Sequence, residues 1–85
     1  MGFTVYALHN QESNKIYIGQ TVNIEKRLRE HNLKRGKHFT ALVSGQWKLV
    51  YSEQYETRTE ALVREKQLKS YQGRKFIKSK IKNIE

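Results

Sequence analysis

The chain contains no cysteine, which excludes disulfide staples, thiolate zinc sites and cysteine nucleophiles together and matches the usage expected of a cytoplasmic protein. It has no proline and only five glycines. Segmentation must therefore be read from caps and hydrophobic periodicity rather than from linkers. No apolar run approaches the ~20 residues that span a bilayer, and Met1 to Tyr6 lacks the charged region and apolar stretch of a secretory signal. The expectation is a chain with no membrane span. Acid is scarce as well: eight Asp and Glu stand against seventeen Lys and Arg, a formal net charge of +9 with neutral histidines. Such an excess points to a polyanion, with nucleic acid ahead of an anionic membrane surface. The 85 residues predict a single domain over 1–85, because a chain this short cannot bury two cores.

The charge is not confined to a tail. Residues 1–40 carry seven basic and three acidic side chains, and residues 41–85 carry ten and five. Thr4 to His9 and Lys15 to Gly19 are rich in β-branched and aromatic residues and flank the polar turn Asn10 to Asn14, which reads as a β-hairpin. A symmetric closure places Tyr6 opposite Tyr17 and both on one sheet face. A third strand is expected from Gln46 to Tyr55, with Trp47, Leu49 and Tyr51 alternating with Lys48, Val50 and Ser52. Helices are expected from Asn23 to Lys34, weakly from His38 to Val43, from Thr57 to about Tyr71 before Gly73, and from Arg74 to Ile84. Asn23 is a good N-cap, and Thr57 with Glu60 has capping-box spacing. The fold class is α+β, a three-stranded antiparallel sheet flanked by helices in the order β-β-α-α-β-α-α.

Two helices carry polar residues where apolar ones belong. In the first, the core spacing falls on Ile24, Arg27, Leu28 and His31. In the helix after the third strand, Ala61, Leu62, Glu65 and Leu68 have core spacing, with Glu65 among them. Each has an ordinary explanation taken singly: Arg27 snorkels, His31 is a satisfied histidine, Glu65 forms an ion pair. Together they aim two tyrosines, an arginine, a histidine and a carboxylate inward. That set suits phosphodiester hydrolysis, which needs a group to activate water, a cation for the phosphate charge, and usually a metal. One carboxylate can anchor a Mg²⁺ that keeps most of its waters.

These residues also carry a resemblance. Thr4-Val5-Tyr6, Tyr17-Ile18-Gly19-Gln20-Thr21, Arg27 to Asn32, Lys48 to Tyr51, Thr57 to Ala61 and Arg64-Glu65-Lys66 together resemble the GIY-YIG nuclease superfamily, specifically its small stand-alone bacterial members. The likeness implies a DNA endonuclease using one Mg²⁺ or Mn²⁺ and leaving 5′-phosphate and 3′-hydroxyl ends. It suggests Tyr6, helped by His31, as the water-activating group, Tyr17 as a positioning group or alternate base, Arg27 for the scissile phosphate, Glu65 for the metal, and Gly19 as a structural motif residue. The first motif reads Thr4-Val5 where the name-giving pattern has glycine and isoleucine, and the late asparagine of some members has Asn83 as its only counterpart. Relatives often attach a separate DNA-reading domain, so low sequence specificity is expected of this chain alone.

Arg29, Lys34, Lys69, Arg74 and Lys78 are the expected phosphate contacts, on helices. The competing reading is a non-catalytic nucleic-acid-binding module in which Phe39, Trp47, Tyr51, Tyr55 and Tyr71 stack on bases. Such a module has no need of Glu65, since a carboxylate repels phosphate unless a metal intervenes.

Overall fold

A computed structural model describes residues 2–33 and 45–84. The helical turn expected over His38 to Val43, and with it Lys34 and Phe39, lies outside the described residues.

Three strands, β1 (Phe3–Asn10), β2 (Lys15–Thr21) and β3 (Trp47–Tyr55), form an antiparallel sheet in the order β2-β1-β3. The central strand is covered on both faces, and Val5, Tyr6, Ala7 and Leu8 are all buried. Pairing removes both of its edges, which leaves only its side chains to divide between two layers. Val5, Ala7 and Ile18 pack under two helices, α2 (Arg58–Lys69) and α3 (Tyr71–Ile84), with Ala61, Leu68, Ile77 and Ile81. Tyr6, Leu8 and Trp47 form the opposite layer, against Tyr17 and against Ile24 and Leu28 of α1 (Ile24–Asn32).

The helix starts follow their caps. The Asn23 side chain accepts from the Lys26 N–H at 3.1 Å, and the Thr57 hydroxyl accepts from the Glu60 N–H at 3.2 Å. Glu60 completes the Thr57 pair differently from a capping box, because its carboxylate accepts from the Thr57 hydroxyl at 2.9 Å.

Several expectations need correction. The hairpin register pairs Tyr6 with Gly19 and Leu8 with Tyr17, two residues from the symmetric closure that faced Tyr6 with Tyr17. The loop is shorter than expected, closing at Asn10 and Lys15. It closes there because Asn14 adopts the left-handed region at φ 55° and the Asn10 side chain accepts from the Ser13 N–H at 3.2 Å. A two-residue shift keeps every side chain on its face, so the two tyrosines still share one.

β3 does not alternate throughout. Its pairing with β1 shifts between Ala7 and Leu8, leaving Val50 as a bulge, so Trp47 and Leu49 share the face of Tyr6 while Tyr51 lies opposite Ala7 on the other.

In α2, Ala61 and Leu68 are buried but Leu62 is 47% exposed, because the inward arc is narrower than the four-residue stripe. The last helix begins at Tyr71, and the chain breaks at Ser70 in extended conformation. Gly73 is thus inside α3 rather than a terminator. α3 crosses the end of α2 so closely that a Cβ on Gly73 would lie 2.3 Å from the Gln67 carbonyl oxygen.

Candidate active site

The site is built on the face under α1. Tyr6, on the central strand, is buried, and its hydroxyl lies 3.0 Å from Nε2 of His31, itself buried in the last turn of α1. Tyr17 stands diagonally across the hairpin. Its ring centroid is 6.2 Å from that of Tyr6 and 4.9 Å from that of His31. Trp47 closes the layer with its ring at a steep angle to Tyr17, centroids 6.5 Å apart.

Gly19 is what lets the pair converge. It faces Tyr6 in the register, and a Cβ there would stand 2.9 Å from the Tyr6 hydroxyl and 3.0 Å from the Tyr17 ring. Any larger residue would displace the phenol from His31.

One turn before His31, Arg27 turns its guanidinium toward the same hydroxyl. Interaction with Tyr6 raises the Arg27 pKa against the opposing effect of its partial burial. Its terminal nitrogen lies 3.6 Å from Glu30, an exposed pair of little energetic weight. Its Nε is buried with no hydrogen-bond partner among the described residues. A buried donor without an acceptor is costly unless a ligand or water satisfies it, and an anionic oxygen is the acceptor a guanidinium takes best.

The electrostatics of Tyr6 are set against ionisation. Burial pushes its phenol well above the ordinary tyrosine range and Tyr17 adds to the rise; the Arg27 guanidinium opposes it, and the Glu65 charge reinforces it. Glu65 sits on α2, where its carboxylate accepts from the Lys69 ammonium at 2.7 Å. It is 18% exposed in that pair, half-buried as its place between Ala61 and Leu68 demands.

Among the described residues no three His, Cys, Asp or Glu side chains cluster to form a metal cage. A single half-buried carboxylate fits a hard cation such as Mg²⁺, which keeps several waters and takes one or two carboxylates plus phosphate oxygens. It does not fit a closed all-protein site.

Asn32 is a residue to which the sequence reading assigned no role. Its side chain accepts from the Trp47 N–H at 2.7 Å and donates to the Trp47 carbonyl at 3.0 Å, mimicking a strand pair and tying the end of α1 to the start of β3. Its neighbour His31 is held over Tyr6 by that tie. Its position beside His31 was visible in the sequence, but its partner was not.

The expected phosphate contacts divide. Lys69, Arg74 and Lys78 are exposed along one groove, whereas Arg29 is exposed on α1. Of the aromatics considered as stacking groups, Trp47 is buried and Tyr51 and Tyr55 are partly buried over the α2–α3 layer, where both hydroxyls donate to Glu53. Only Tyr71 among the described ones is largely exposed, at 73%.

These features define a small α+β domain that gathers two tyrosines, a histidine and an arginine on one face of a three-stranded antiparallel sheet, with Glu65 on a helix of the opposite layer. The family model described as the GIY-YIG catalytic domain matches residues 2–80, and the chain belongs to that nuclease family. A UPF0213 protein of Staphylococcus saprophyticus is 34% identical over 67 residues, covering 79% of this chain and 80% of that protein. Another, of Haloquadratum walsbyi, is 41% identical over 56 residues, covering 66% and 62%. The solution NMR structure of a UPF0213 protein from Bacillus halodurans matches with a TM-score of 0.54 at 25% identity, covering 93% of this chain and 84% of that one. No helix among the described residues is long and apolar enough to cross a membrane.

Proposed function

We propose that the chain is a metal-dependent DNA endonuclease that hydrolyses phosphodiester bonds to 5′-phosphate and 3′-hydroxyl ends. The observation that carries this reading is the buried Tyr6–His31 hydrogen bond of 3.0 Å beneath an arginine whose Nε lacks an acceptor.

In this reading a water attacks the phosphorus and passes its proton to the Tyr6 oxygen, while the Tyr6 proton moves to Nε2 of His31. The P–O3′ bond breaks and the 3′ oxygen leaves to take a proton from solvent. His31 answers the difficulty that burial creates, because Tyr6 need not carry a full negative charge if its proton departs as the water's arrives. Arg27 meets the scissile phosphate, with Nε supplying the donor that becomes most valuable as charge grows on the equatorial oxygens. Tyr17, packed on both His31 and Tyr6, positions the pair and is the alternate base.

Glu65 would hold one Mg²⁺ or Mn²⁺. When bound, the ion neutralises charge on the leaving oxygen and cancels the upward push of Glu65 on the Tyr6 pKa. Exposed Arg29, Lys69, Arg74 and Lys78 contact backbone phosphates, which carry no sequence information.

The test is Glu65→Gln, which keeps size and hydrogen bonding and removes the charge. Cleavage of linear and branched DNA with Mg²⁺ or Mn²⁺ is expected to disappear, while DNA binding in EDTA is retained or slightly strengthened. Cleavage at the parental rate with the parental metal requirement would overturn the metal assignment. A parent with no metal-dependent cleavage on any of these substrates would overturn the nuclease reading itself.

A further inference from the structure

α2 and α3 bury Ala61, Leu68, Ile77 and Ile81 against the sheet and cross where the chain breaks at Ser70. Beside the crossing lies an open groove of about 730 Å³. Val63 and Leu68 line it from α2 and Phe76 from α3, together with Gly73, where the two helix backbones approach too closely for a Cβ. Val63 is 54% exposed and Phe76 36%, so the groove presents apolar surface to water. Apolar side chains gathered in a concavity mark a binding site, whereas the same side chains scattered singly need no explanation.

The charge around this groove has one sign. No Asp or Glu lines it, and α3 contains none over its whole length. Lys66 lines the groove, is exposed, and forms no ion pair among the described residues. Lys80 lies over the Phe76 ring at 5.0 Å, and Arg64, which also lines the groove, stands 5.8 Å from the same centroid. Glu53 and Glu65 do not offset these cations, because Arg64 holds the first and Lys69 the second.

Apolar lining and a basic rim together specify the occupant. A second copy in a symmetric pair would bring the same cations against the same patch, and the formal charge of +9 opposes that approach at longer range. A nucleic acid base would need a free aromatic face, but Phe76 already carries Lys80 and Arg64 over its ring and meets Tyr51 edge-on at 5.2 Å. An apolar side chain flanked by carboxylates satisfies both the lining and the rim. A helix with apolar residues at i, i+3, i+4 and i+7 and acids beside them displays that pattern on one face.

We propose that the groove at the crossing of α2 and α3 docks an acidic amphipathic helix of a partner protein, with apolar side chains against Val63, Leu68 and Phe76 and a carboxylate on Lys66. The groove belongs to the helix layer behind the sheet, whereas Tyr6 lies in the opposite layer. The occupant therefore leaves the candidate active site open, and the inference does not rest on cleavage.

The experiment titrates the full chain, isotope-labelled for NMR, with a synthetic peptide of about four helical turns that carries leucine at i, i+3, i+4 and i+7 and glutamate between. A scrambled peptide of the same composition is the control. Amide shifts are expected over residues 63–76 with the first peptide and not with the second. Val63→Gln should weaken binding about tenfold, the scale of one buried apolar side chain. Lys66→Glu should weaken it several-fold at low salt and less at high salt. Lys48→Gln, exposed and away from the groove, should leave the affinity unchanged, and the amide spectrum of each variant reports its fold.

No binding, equal binding of the scrambled peptide, or full affinity in Val63→Gln would overturn the proposal. So would displacement of the peptide by duplex DNA in EDTA with shifts over the same residues, which would give the groove to nucleic acid. Dimerisation in sedimentation that Val63→Gln abolishes would give it to a second copy and overturn the proposal equally. A parent that binds the peptide but cuts no DNA refutes the nuclease reading and leaves the groove standing.

Discussion

Tyr6 is asked to handle a proton in a place that disfavours its anion. Burial, Tyr17 and Glu65 all hold the phenol protonated, against Arg27 alone. The folded chain therefore binds the Tyr6 proton more tightly than the unfolded chain does. Its contribution to stability is complete below the unfolded tyrosine pKa of about 10, and is lost as pH rises from there through the folded pKa. Tyr51, raised chiefly by burial, and Tyr55, raised chiefly by its hydrogen bond to Glu53, act in the same direction. Unfolding free energy should thus fall above pH about 10, and Tyr6→Phe should make that fall shallower without abolishing it. Urea titrations between about pH 8 and 11 check this; parallel curves for the two proteins would show that Tyr6 does not contribute. The same variant should reduce cleavage by at least about 100-fold, the usual scale of a lost proton-transfer group, while DNA affinity in EDTA stays the same. Arg27→Ala should also cost cleavage far more than binding, measured in parallel, because its donor is wanted most in the transition state.

At the level of elements, the site depends on how α1 is moored. Asn32 grips both backbone groups of Trp47, so β3 holds the end of the helix that carries His31. Asn32→Ala removes two hydrogen bonds and leaves the Trp47 N–H to find water, a loss of about 1–3 kcal/mol. It should lower the urea midpoint and reduce cleavage by more than the unfolded fraction explains. Restored cleavage at low temperature, where the folded fraction is restored, would instead reduce Asn32 to a stability residue. On the other face, β3 is tied to α2 by the Glu53 carboxylate, which accepts from Arg64 Nε and Nη2 at about 3 Å. The two ties hold opposite ends of β3, and the Val50 bulge lies between them. A bulge is what lets one strand serve both layers, presenting Trp47 to the site and Tyr51 to the helices behind it.

For the molecule as a whole, the charge of +9 acts as one long-range field. It should draw DNA with little regard to sequence, and affinity in EDTA should fall linearly with salt on logarithmic axes, by about 0.9 per duplex phosphate neutralised. Affinity that did not change with salt would remove phosphate contacts from the account altogether. The field is not spread evenly in its uses. Three of the described cations are engaged with glutamates, Arg27, Arg64 and Lys69, and each of those pairs trims or positions a side chain near one of the two layers.

Composition, caps and periodicity determined a good deal. The α+β class, three strands, the hairpin and the starts of α1 and α2 are all legible, because caps and alternation are local properties that neighbours a few residues apart decide. The shared face of Tyr6 and Tyr17 is legible for the same reason: a strand's period of two survives any even shift in register. The odd placement of Arg27, His31 and Glu65 was visible as polarity on apolar stripes. What the tertiary structure alone decided depends on contacts distant in sequence. The register was settled by Asn10 and Asn14 closing a shorter loop, and Gly19 acquired its purpose only once Tyr6 was set opposite it. Gly73 reads as a terminator in one dimension and becomes a close-contact residue when α3 crosses α2. Trp47 and Tyr51 share a parity in the chain but part company at the bulge, since one unpaired residue reverses the alternation beyond it. Asn32 had no partner assigned until Trp47 arrived beside it, for a hydrogen bond acts across space and leaves no period in the sequence.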